Sequence, residues 1–293
     1  MLLTIIILNY QRAALTSACL ASLYKQLGDR FKENQIEIVL VDNASGDDSV
    51  TRLKEEIKKN NYTNCFLIEN KENYGFGKGI NIGAEKARGK YLLFLNNDTV
   101  VIDKGIWDMV EYMDQHEKVS ILGGKVSNED HSEQPSVGKF YTPFSVTLLM
   151  LGLQRFAVID KNPAGVSVVD WVKGSLFIIR REVFESLHGF DEQIFMYTED
   201  MELCYRAWKK GIKSYFFPNV TVLHKETGSS NRTFAIVNIY RNLLYFYKKH
   251  RTQGEYLYLR SLLRTKAVVL IGIGRLLHNS YLVQTYEKAF KVT

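Results

Sequence analysis

Between residues 3 and 95 the chain alternates short apolar runs with helix-spaced segments, and this alternation restricts the fold more than any other feature. Leu3 to Asn9 is an apolar run of strand length, followed by Leu15, Cys19, Leu20, Leu23 and Leu27 at helical spacing. Ile36 to Val41 is a second run, followed by Val50, Leu53 and Ile57 on one helix face. Cys65 to Glu69 reads as a third strand, Phe76 to Arg88 as a helix stopped by Gly89, and Tyr91 to Leu95 as a fourth strand. Strand and helix alternating at this spacing predict a mostly parallel, Rossmann-like α/β sheet with helices on both faces. Ligands bind such sheets beyond the carboxyl ends of the strands. Polar clusters stand at those ends: Asn9-Tyr10, Asp42-Asn43, Asn70 to Asn73, and Asn96-Asn97-Asp98. The turns at the other ends, such as Gly28-Asp29-Arg30 and Arg88-Gly89-Lys90, are basic or small.

The second half is less regular. Ile106 to His116 reads as a helix and Val119 to Val126 as a strand. Residues 127–165 are polar and irregular at both ends around an apolar centre, which suits an acceptor loop. Val166 to Ile179 is a strand pair or one long strand. Thr198 to Lys210 is a helix with acids in its first turn, bases in its last, and Gly211 as its stop. Ser214 to Leu223 is a strand leading to His224, and helix is expected from about Ile236 to the end.

Charge narrows the partners. The 293 residues carry +6 overall, but Ile236 to Thr293 holds ten Lys/Arg against Glu255 and Glu287. The tail is therefore about +8 and residues 1–235 about −2 by difference, a poor match to nucleic acid as the main partner. Cys19, Cys65 and Cys204 are far apart, lack metal spacing, and suit a reducing, cytoplasmic setting as buried small residues. Met1-Leu2-Leu3-Thr4 runs into a strand with no basic leader, so no signal peptide is expected. The longest uncharged run, Phe140 to Gln154, contains a proline and polar residues and is shorter than the roughly 18–20 apolar residues of a spanning helix.

Several residues carry candidate chemistry. Asp42, ending the second strand, can accept hydrogen bonds from a ribose or base edge, or can serve as a turn former. Asn73-Tyr74-Gly75-Phe76-Gly77-Lys78-Gly79-Ile80-Asn81 is a glycine-rich loop entering a helix, able to approach phosphates or simply to pack tightly. It has neither the ending of a Walker loop nor the spacing of a dinucleotide fingerprint. Asn96-Asn97-Asp98 offers oxygen donors to a hard divalent cation, which shares its shell with substrate phosphates. Glu199-Asp200 can complement a helix dipole or supply a general base, and the adjoining Phe195-Met196-Tyr197 would raise its basicity. His224, before Lys225-Glu226-Thr227-Gly228-Ser229-Ser230, suits a metal or a diphosphate. Trp171 offers a stacking face for a sugar or packs in the core, and Lys173-Gly174-Ser175 lets a sugar ring approach.

Taken together and in this order, these motifs resemble glycosyltransferase family 2, inverting enzymes of the GT-A fold, and within it a rhamnosyltransferase-like bacterial branch. The resemblance covers about residues 3–235. It rests on Ile7-Leu8-Asn9-Tyr10, Val41 to Ser45, Asn73 to Asn81, Phe94 to Asp98, Val172 to Arg181, Gly189-Phe190-Asp191-Glu192, Glu199 to Arg206, and His224. It implies a GT-A catalytic domain over 1–235, with a nucleotide-binding half to residue 98 and an acceptor half over 99–235. It implies a nucleotide-diphosphate-sugar donor, with dTDP-rhamnose the first choice, held by Asn9, Tyr10, Asp42, Asn43, Asn73, Gly75, Lys78, Asn81, Asn96, Asn97, Lys173 and Gly174. Asp98 and His224 would hold Mg²⁺ or Mn²⁺, Asp200 with Glu199 would supply the base, and Trp171 and Tyr197 would meet the acceptor. Asn96 stands where the family's metal motif usually has an acid.

The basic tail over 236–293 interleaves Tyr240, Tyr245, Phe246, Tyr247, Tyr256 and Tyr258, with an apolar stretch from Lys266 to Leu277. That mixture suits an interfacial helix on an anionic membrane, here the inner face of a bacterial plasma membrane carrying a glycan or polyprenyl-linked acceptor. A helical cap on the core and a homodimer face are the other readings. Two other functions stay open: a sugar-nucleotide nucleotidyltransferase, although Asn9-Tyr10-Gln11-Arg12 lacks the glycines that chemistry uses, and a non-catalytic binding module.

Overall fold

The computed structural model describes residues 1–153, 162–225 and 232–293. They fall into two compact units. The first comprises residues 1–139, 162–195 and 199–225, and the second residues 140–153, 196–198 and 232–293. The second unit therefore takes in more than the basic tail.

The first unit begins as the hydrophobic pattern predicts. Strands β1 (Leu3–Asn9), β2 (Ile36–Asp42), β3 (Cys65–Glu69) and β4 (Tyr91–Leu95) alternate with helices α1 (Ala13–Lys32), α2 (Ser49–Lys59) and α3 (Gly75–Glu85). They pair in parallel in the order β3-β2-β1-β4. The chain order reverses between β2 and β4 on either side of β1, so the carboxyl ends of β1 and β4 open onto the same crevice position that ligands use in such sheets.

Beyond β4 the elements are β5 (Thr99–Val101), α4 (Gly105–Gln115), β6 (Ile121–Ser127), β7 (Glu133–Gln134), β8 (Val137–Gly138) and α5 (Pro143–Met150). Then come β9 (Ser167–Val169), β10 (Trp171–Val172), β11 (Leu176–Arg180), α6 (Arg181–Ser186), α7 (Glu199–Lys209) and β12 (Ser214–His224). The stretch over 127–165, expected to be irregular, contains two short strands and a helix among its described residues. The Val166–Ile179 stretch is neither a pair nor one strand but three short pieces.

The sheet continues β4-β11-β6-β12-β5. Strand β11 runs antiparallel to β4 with Leu176 opposite Leu95, which sets the start of β11 beside the end of β4. Strand β12 is antiparallel to β5 with His224 opposite Thr99. These two registers, neither of them local in sequence, bring the later motifs to the edge where the first four strands end.

Period-two alternation fills both faces of the sheet. Leu3, Ile5 and Ile7 join Leu23, Leu93, Met109 and Ile178 in one buried layer under α1 and α4. On the other side Phe94 stands against Phe177, Phe184 and Phe190, with ring centroids 5.1–5.5 Å apart. Each such ring, fully buried, contributes about 1.5–3 kcal/mol by apolar transfer.

In the second unit, helix is present where expected but is divided into α8 (Arg232–His250), α9 (Gln253–Leu276) and α10 (Ser280–Lys291). The breaks are caps. Thr252 and Glu255 form a capping box at the start of α9, and the Asn279 side chain accepts from Leu282 N–H at the start of α10. Thr147 of α5 and Tyr258 of α9 share a 2.7 Å hydrogen bond. Among the described residues no helix is long and apolar enough to cross a membrane.

Candidate active site

The polar ends of β1, β2 and β4 are tied into one buried network. Asn9 Nδ2 donates to Asp42 Oδ1 at 2.7 Å, the side chains having been set opposite each other by the β1–β2 register. The Ser45 hydroxyl donates to the same oxygen at 2.5 Å, and Ser45 N–H donates to Asp42 Oδ2 at 3.0 Å. Thr16 Oγ1 donates to Asn9 Oδ1 and accepts from Asn97 Nδ2. Asp42 is 1% exposed. Its carboxylate therefore shapes the crevice wall from behind, and of the pair Asn9-Tyr10 it is Tyr10, 41% exposed, that faces outward.

The glycine-rich stretch is built for packing. Gly75 has φ +80°, and a Cβ there would lie 2.1 Å from the Phe195 carbonyl oxygen, which accepts from Phe76 N–H. A Cβ on Gly79 would meet Leu8, and one on Gly83 would meet Ile6 and Val41. The side chains around them are also engaged within the protein. Asn43 Nδ2 donates to Asn73 Oδ1 and to the Gly75 carbonyl. Asn81 exchanges hydrogen bonds with the backbone of Phe190, and Lys78 pairs with Glu192 at 3.3 Å. Asn43, Asn73, Gly75, Lys78 and Asn81, expected to bind the donor, thus also brace the fold: they hold α3 on the sheet and fix the 189–195 segment.

Trp171 is engaged within the protein as well. It is 6% exposed, its indole N–H donates to the Lys139 carbonyl, and the ring lies against Gly138 so closely that a Cβ there would be 2.3 Å away. Its ring is packed into the core. Tyr197 belongs to the second unit. It and Thr198 both have φ near +70°, a strained pair, and Asn242 donates to the carbonyls of Met196 and Tyr197.

The remaining candidates come together. The β4–β11 register sets Asn96 beside Ser175, with Asn96 Nδ2 donating to Ser175 Oγ at 3.3 Å. The next residue, Gly174, donates its N–H to Asp200 Oδ2 at 3.1 Å. On the other side Asn96 Nδ2 lies 3.4 Å from His224 Nε2, and that nitrogen lies 3.1 Å from Asp98 Oδ1. A continuous line of contacts thus runs Asp98–His224–Asn96–Ser175–Gly174–Asp200, through residues far apart in the chain.

Burial tunes the acids. It raises the Glu199 carboxyl to about 8, with the neighbouring charge of Asp200 adding to the effect. One oxygen of Glu199 is buried without a hydrogen bond. Asp200 is also raised, chiefly by burial, against the opposing pull of the Met201 and Gly174 N–H groups and the Lys173 charge.

The Asp98 and His224 side chains are each 16% exposed. Although Nε2 is only 3.1 Å away, Asp98 Oδ1 is buried without a hydrogen-bond partner. An orphaned carboxylate oxygen beside an imidazole nitrogen fits a divalent cation. Among the described residues no three His, Cys, Asp or Glu gather on one point, so protein ligands alone do not complete a shell. That suits a cation taking its remaining ligands from phosphates and water. The Gly-Ser part of the loop after His224 lies outside the described residues.

Sequence reading missed Gln134, Thr16 and Ser45 as site residues. Gln134 sits on a two-residue strand, too short to show any periodicity, and its contact with His224 spans 90 residues.

A family model described as Glycosyl transferase family 2 matches residues 4–188, the majority of the chain. The chain belongs to that family. The family 2 chain is 29% identical over 171 residues to "Rhamnosyltransferase WbbL" of Escherichia coli K12, covering 55% of this chain and 64% of that protein. It is 25% identical over 228 residues to "N-acetylglucosaminyl-diphospho-decaprenol L-rhamnosyltransferase" of Mycobacterium tuberculosis, covering 68% and 70%. Its fold is similar to the Pyrobaculum calidifontis mannosyltransferase PcManGT solved with GDP-Man and Mn²⁺, at TM-score 0.61 and 14% identity over 99% of this chain and 85% of that one. The architecture is that of the GT-A glycosyltransferases: a mixed sheet, largely parallel in its first half, flanked by helices.

Proposed function

We propose that this family 2 glycosyltransferase moves a sugar, first choice rhamnose from dTDP-rhamnose, to a hydroxyl of a glycan or polyprenyl-linked glycan acceptor, with inversion. The observation that carries the reading is the line of contacts from Asp98 to Asp200 at the carboxyl edge of the sheet. It sets an orphaned cation-type oxygen and a buried carboxylate of raised basicity on either side of one short segment, 174–175. The two rhamnosyltransferase relatives support the sugar, and the second supports a polyprenyl-linked acceptor.

Asp98 and His224, with Asn96 beside them, would hold Mg²⁺ or Mn²⁺. A cation there would neutralise charge on the diphosphate. Asp200 accepts the proton of the acceptor hydroxyl, whose oxygen forms the new bond to the anomeric carbon as the bond to the diphosphate breaks. The nucleoside diphosphate leaves with the electron pair, and the single displacement inverts the configuration. Gly174 N–H holds one Asp200 oxygen, which fixes the direction of the base. Lys173 contributes positive charge near it. Tyr10, the outward residue of the first strand end, would meet the nucleoside.

The acceptor's lipid part gives the second unit a purpose, peripheral attachment to the cytoplasmic face of a bacterial plasma membrane. Support comes from exposed apolar side chains on α9, Val268, Val269, Ile273 and Leu276, amid a strongly basic tail.

A panel of nucleotide sugars with Mg²⁺ or Mn²⁺, scored by nucleoside diphosphate release onto a lipid-linked acceptor, tests the reading. Release from a dTDP- or UDP-sugar that needs the acceptor and is lost in Asp200→Asn is expected. Absence of release from every donor would overturn it.

A further inference from the structure

A hydrogen-bond relay in the β6–β7 hairpin reaches His224 from behind. His224 Nδ1 lies 3.0 Å from Gln134 Oε1. Gln134 Nε2 donates to Asn128 Oδ1 at 2.5 Å, and Asn128 Nδ2 donates to Ser132 Oγ at 2.8 Å. The Ser132 hydroxyl donates to Asp130 Oδ1 at 2.5 Å.

The relay has only one direction. An ionised carboxylate accepts and never donates. The bond to Ser132 holds the Asp130 carboxyl below its ordinary range, so it is ionised at neutral pH. The Ser132 proton must therefore point at Asp130, leaving Ser132 Oγ to accept from the Asn128 amide nitrogen. That fixes Asn128 Oδ1 as the acceptor for Gln134, and Gln134 Oε1 as the acceptor for His224. Reversing the Gln134 amide would set two acceptors face to face towards Asn128 and two donors towards His224 at its part-buried contacts, a cost of about 1–3 kcal/mol for a buried unsatisfied group.

We propose that Gln134 is a positioning residue: the relay from Asp130 through Ser132, Asn128 and Gln134 pins His224 in its Nδ1–H tautomer and so presents the Nε2 lone pair to a divalent cation beside Asp98. Unconstrained neutral imidazole favours the opposite, Nε2–H tautomer, which would aim a proton at the cation position. Gln134 is buried on β7, its carbonyl is held by Asn162 Nδ2, and it is therefore a rigid lever. A ligating histidine is characteristically fixed through its other ring nitrogen, and loss of such a partner weakens metal binding about 10–100-fold. The inference rests on the metal part of the function proposed above.

The test reads the tautomer directly. In metal-free, ¹⁵N-histidine-labelled full-length protein, the His224 resonances, assigned among the six histidines with His224→Gln, report which nitrogen bears the proton. Nδ1–H is expected in the wild type, with movement towards Nε2–H in Gln134→Leu and retention in Gln134→Glu, which keeps an acceptor at the same place. Manganese EPR, with Mn²⁺ in the presence of dTDP and separately of UDP, should show affinity about 10–100-fold lower for Gln134→Leu and rescued in Gln134→Glu. Ser132→Ala, at an exposed position, breaks the relay without touching the sheet and should also mix the tautomers should the leucine variant not fold. An Nε2–H tautomer in the wild type overturns the proposal, as does Mn²⁺ affinity in Gln134→Leu within about twofold of the wild type. The functional reading fails separately, when no donor is hydrolysed or transferred by a protein whose tautomer and Mn²⁺ affinity are as expected.

Discussion

At the scale of single residues, Glu199 and Asp200 are adjacent carboxyls with different surroundings. Asp200 has one oxygen held by Gly174 N–H and the other by Met201 N–H, whereas a buried Glu199 oxygen has no donor at all. Burial raises the Asp200 carboxyl while its two N–H donors and the Lys173 charge oppose that rise, a setting that suits the base role proposed for it. Asp200→Asn should lower transfer by about 10²–10⁴-fold while nucleotide-sugar binding, read by calorimetry, stays near the wild-type value. Glu199 has a different consequence. Its carboxyl is raised from 4.5 to about 8 in the folded protein, so the native state holds a proton that the unfolded state releases between those values. Its contribution to stability is then fully present below about pH 4.5 and is lost as pH rises through about 8. The urea midpoint should therefore fall between pH 5 and pH 9, and Glu199→Gln, which cannot ionise, should flatten that decline.

At the scale of elements, the apolar periodicity of residues 3–95 carried the β1–β4 layout because β1, β2 and β4 are buried on both faces and β1–β2 and β2–β3 pair between consecutive strands. The same pattern also located the polar ends, since parallel strands put all their carboxyl ends on one edge. What it could not carry was pairing between distant pieces. The β4–β11 and β12–β5 registers decide that Ser175 meets Asn96 and that His224 meets Asp98, and nothing local to those strands encodes the partner. The glycine-rich loop shows a different limit. Close approach of a phosphate and close approach of another backbone both call for glycine, so the residue type at Gly75 does not distinguish them. Structure does: the approaching group is the Phe195 carbonyl. Gly75→Ala should consequently destabilise by more than about 2 kcal/mol in a denaturant titration, through both the +80° φ and the 2.1 Å contact. Gly28→Ala, in α1 with nothing near the new methyl, should be neutral or stabilise by up to about 1 kcal/mol. A loop built to hold phosphate would tolerate Gly75→Ala in stability and lose nucleotide affinity instead.

At the scale of the whole molecule, the charge is divided much as the two units are. The candidate site lies in a first unit of slight net negative charge, and the basic excess lies in the helices of the second. Within that unit α9 buries Leu259, Leu263 and Ala267 but leaves Val268, Val269 and Ile273 exposed, and the turn at its end exposes Leu276 by 80% and Leu277 by 65%. Arg264 and Arg275 stand on the same helix, and burial lowers the Lys266 ammonium, as expected for a chain that lays its stem along apolar neighbours. Each leucine inserted into an acyl layer gains about 1.5–3 kcal/mol, and each basic side chain near an anionic surface about 1 kcal/mol. The two terms call for different experiments. Full-length protein should pellet with vesicles containing anionic phospholipid, and Leu276→Ser with Leu277→Ser should weaken that partition about 10²–10⁴-fold, by the apolar term alone. Raising salt should weaken the wild type further while leaving the residual binding of an uncharged vesicle unchanged, because the Debye length contracts from about 10 Å at 0.1 M to about 3 Å at 1 M. Transfer to a water-soluble acceptor fragment should be the same in the double-serine variant, since its substitutions lie on the second unit's surface. Pelleting of that variant equal to the wild type would leave the apolar turn without a role at a lipid surface and favour the homodimer face instead.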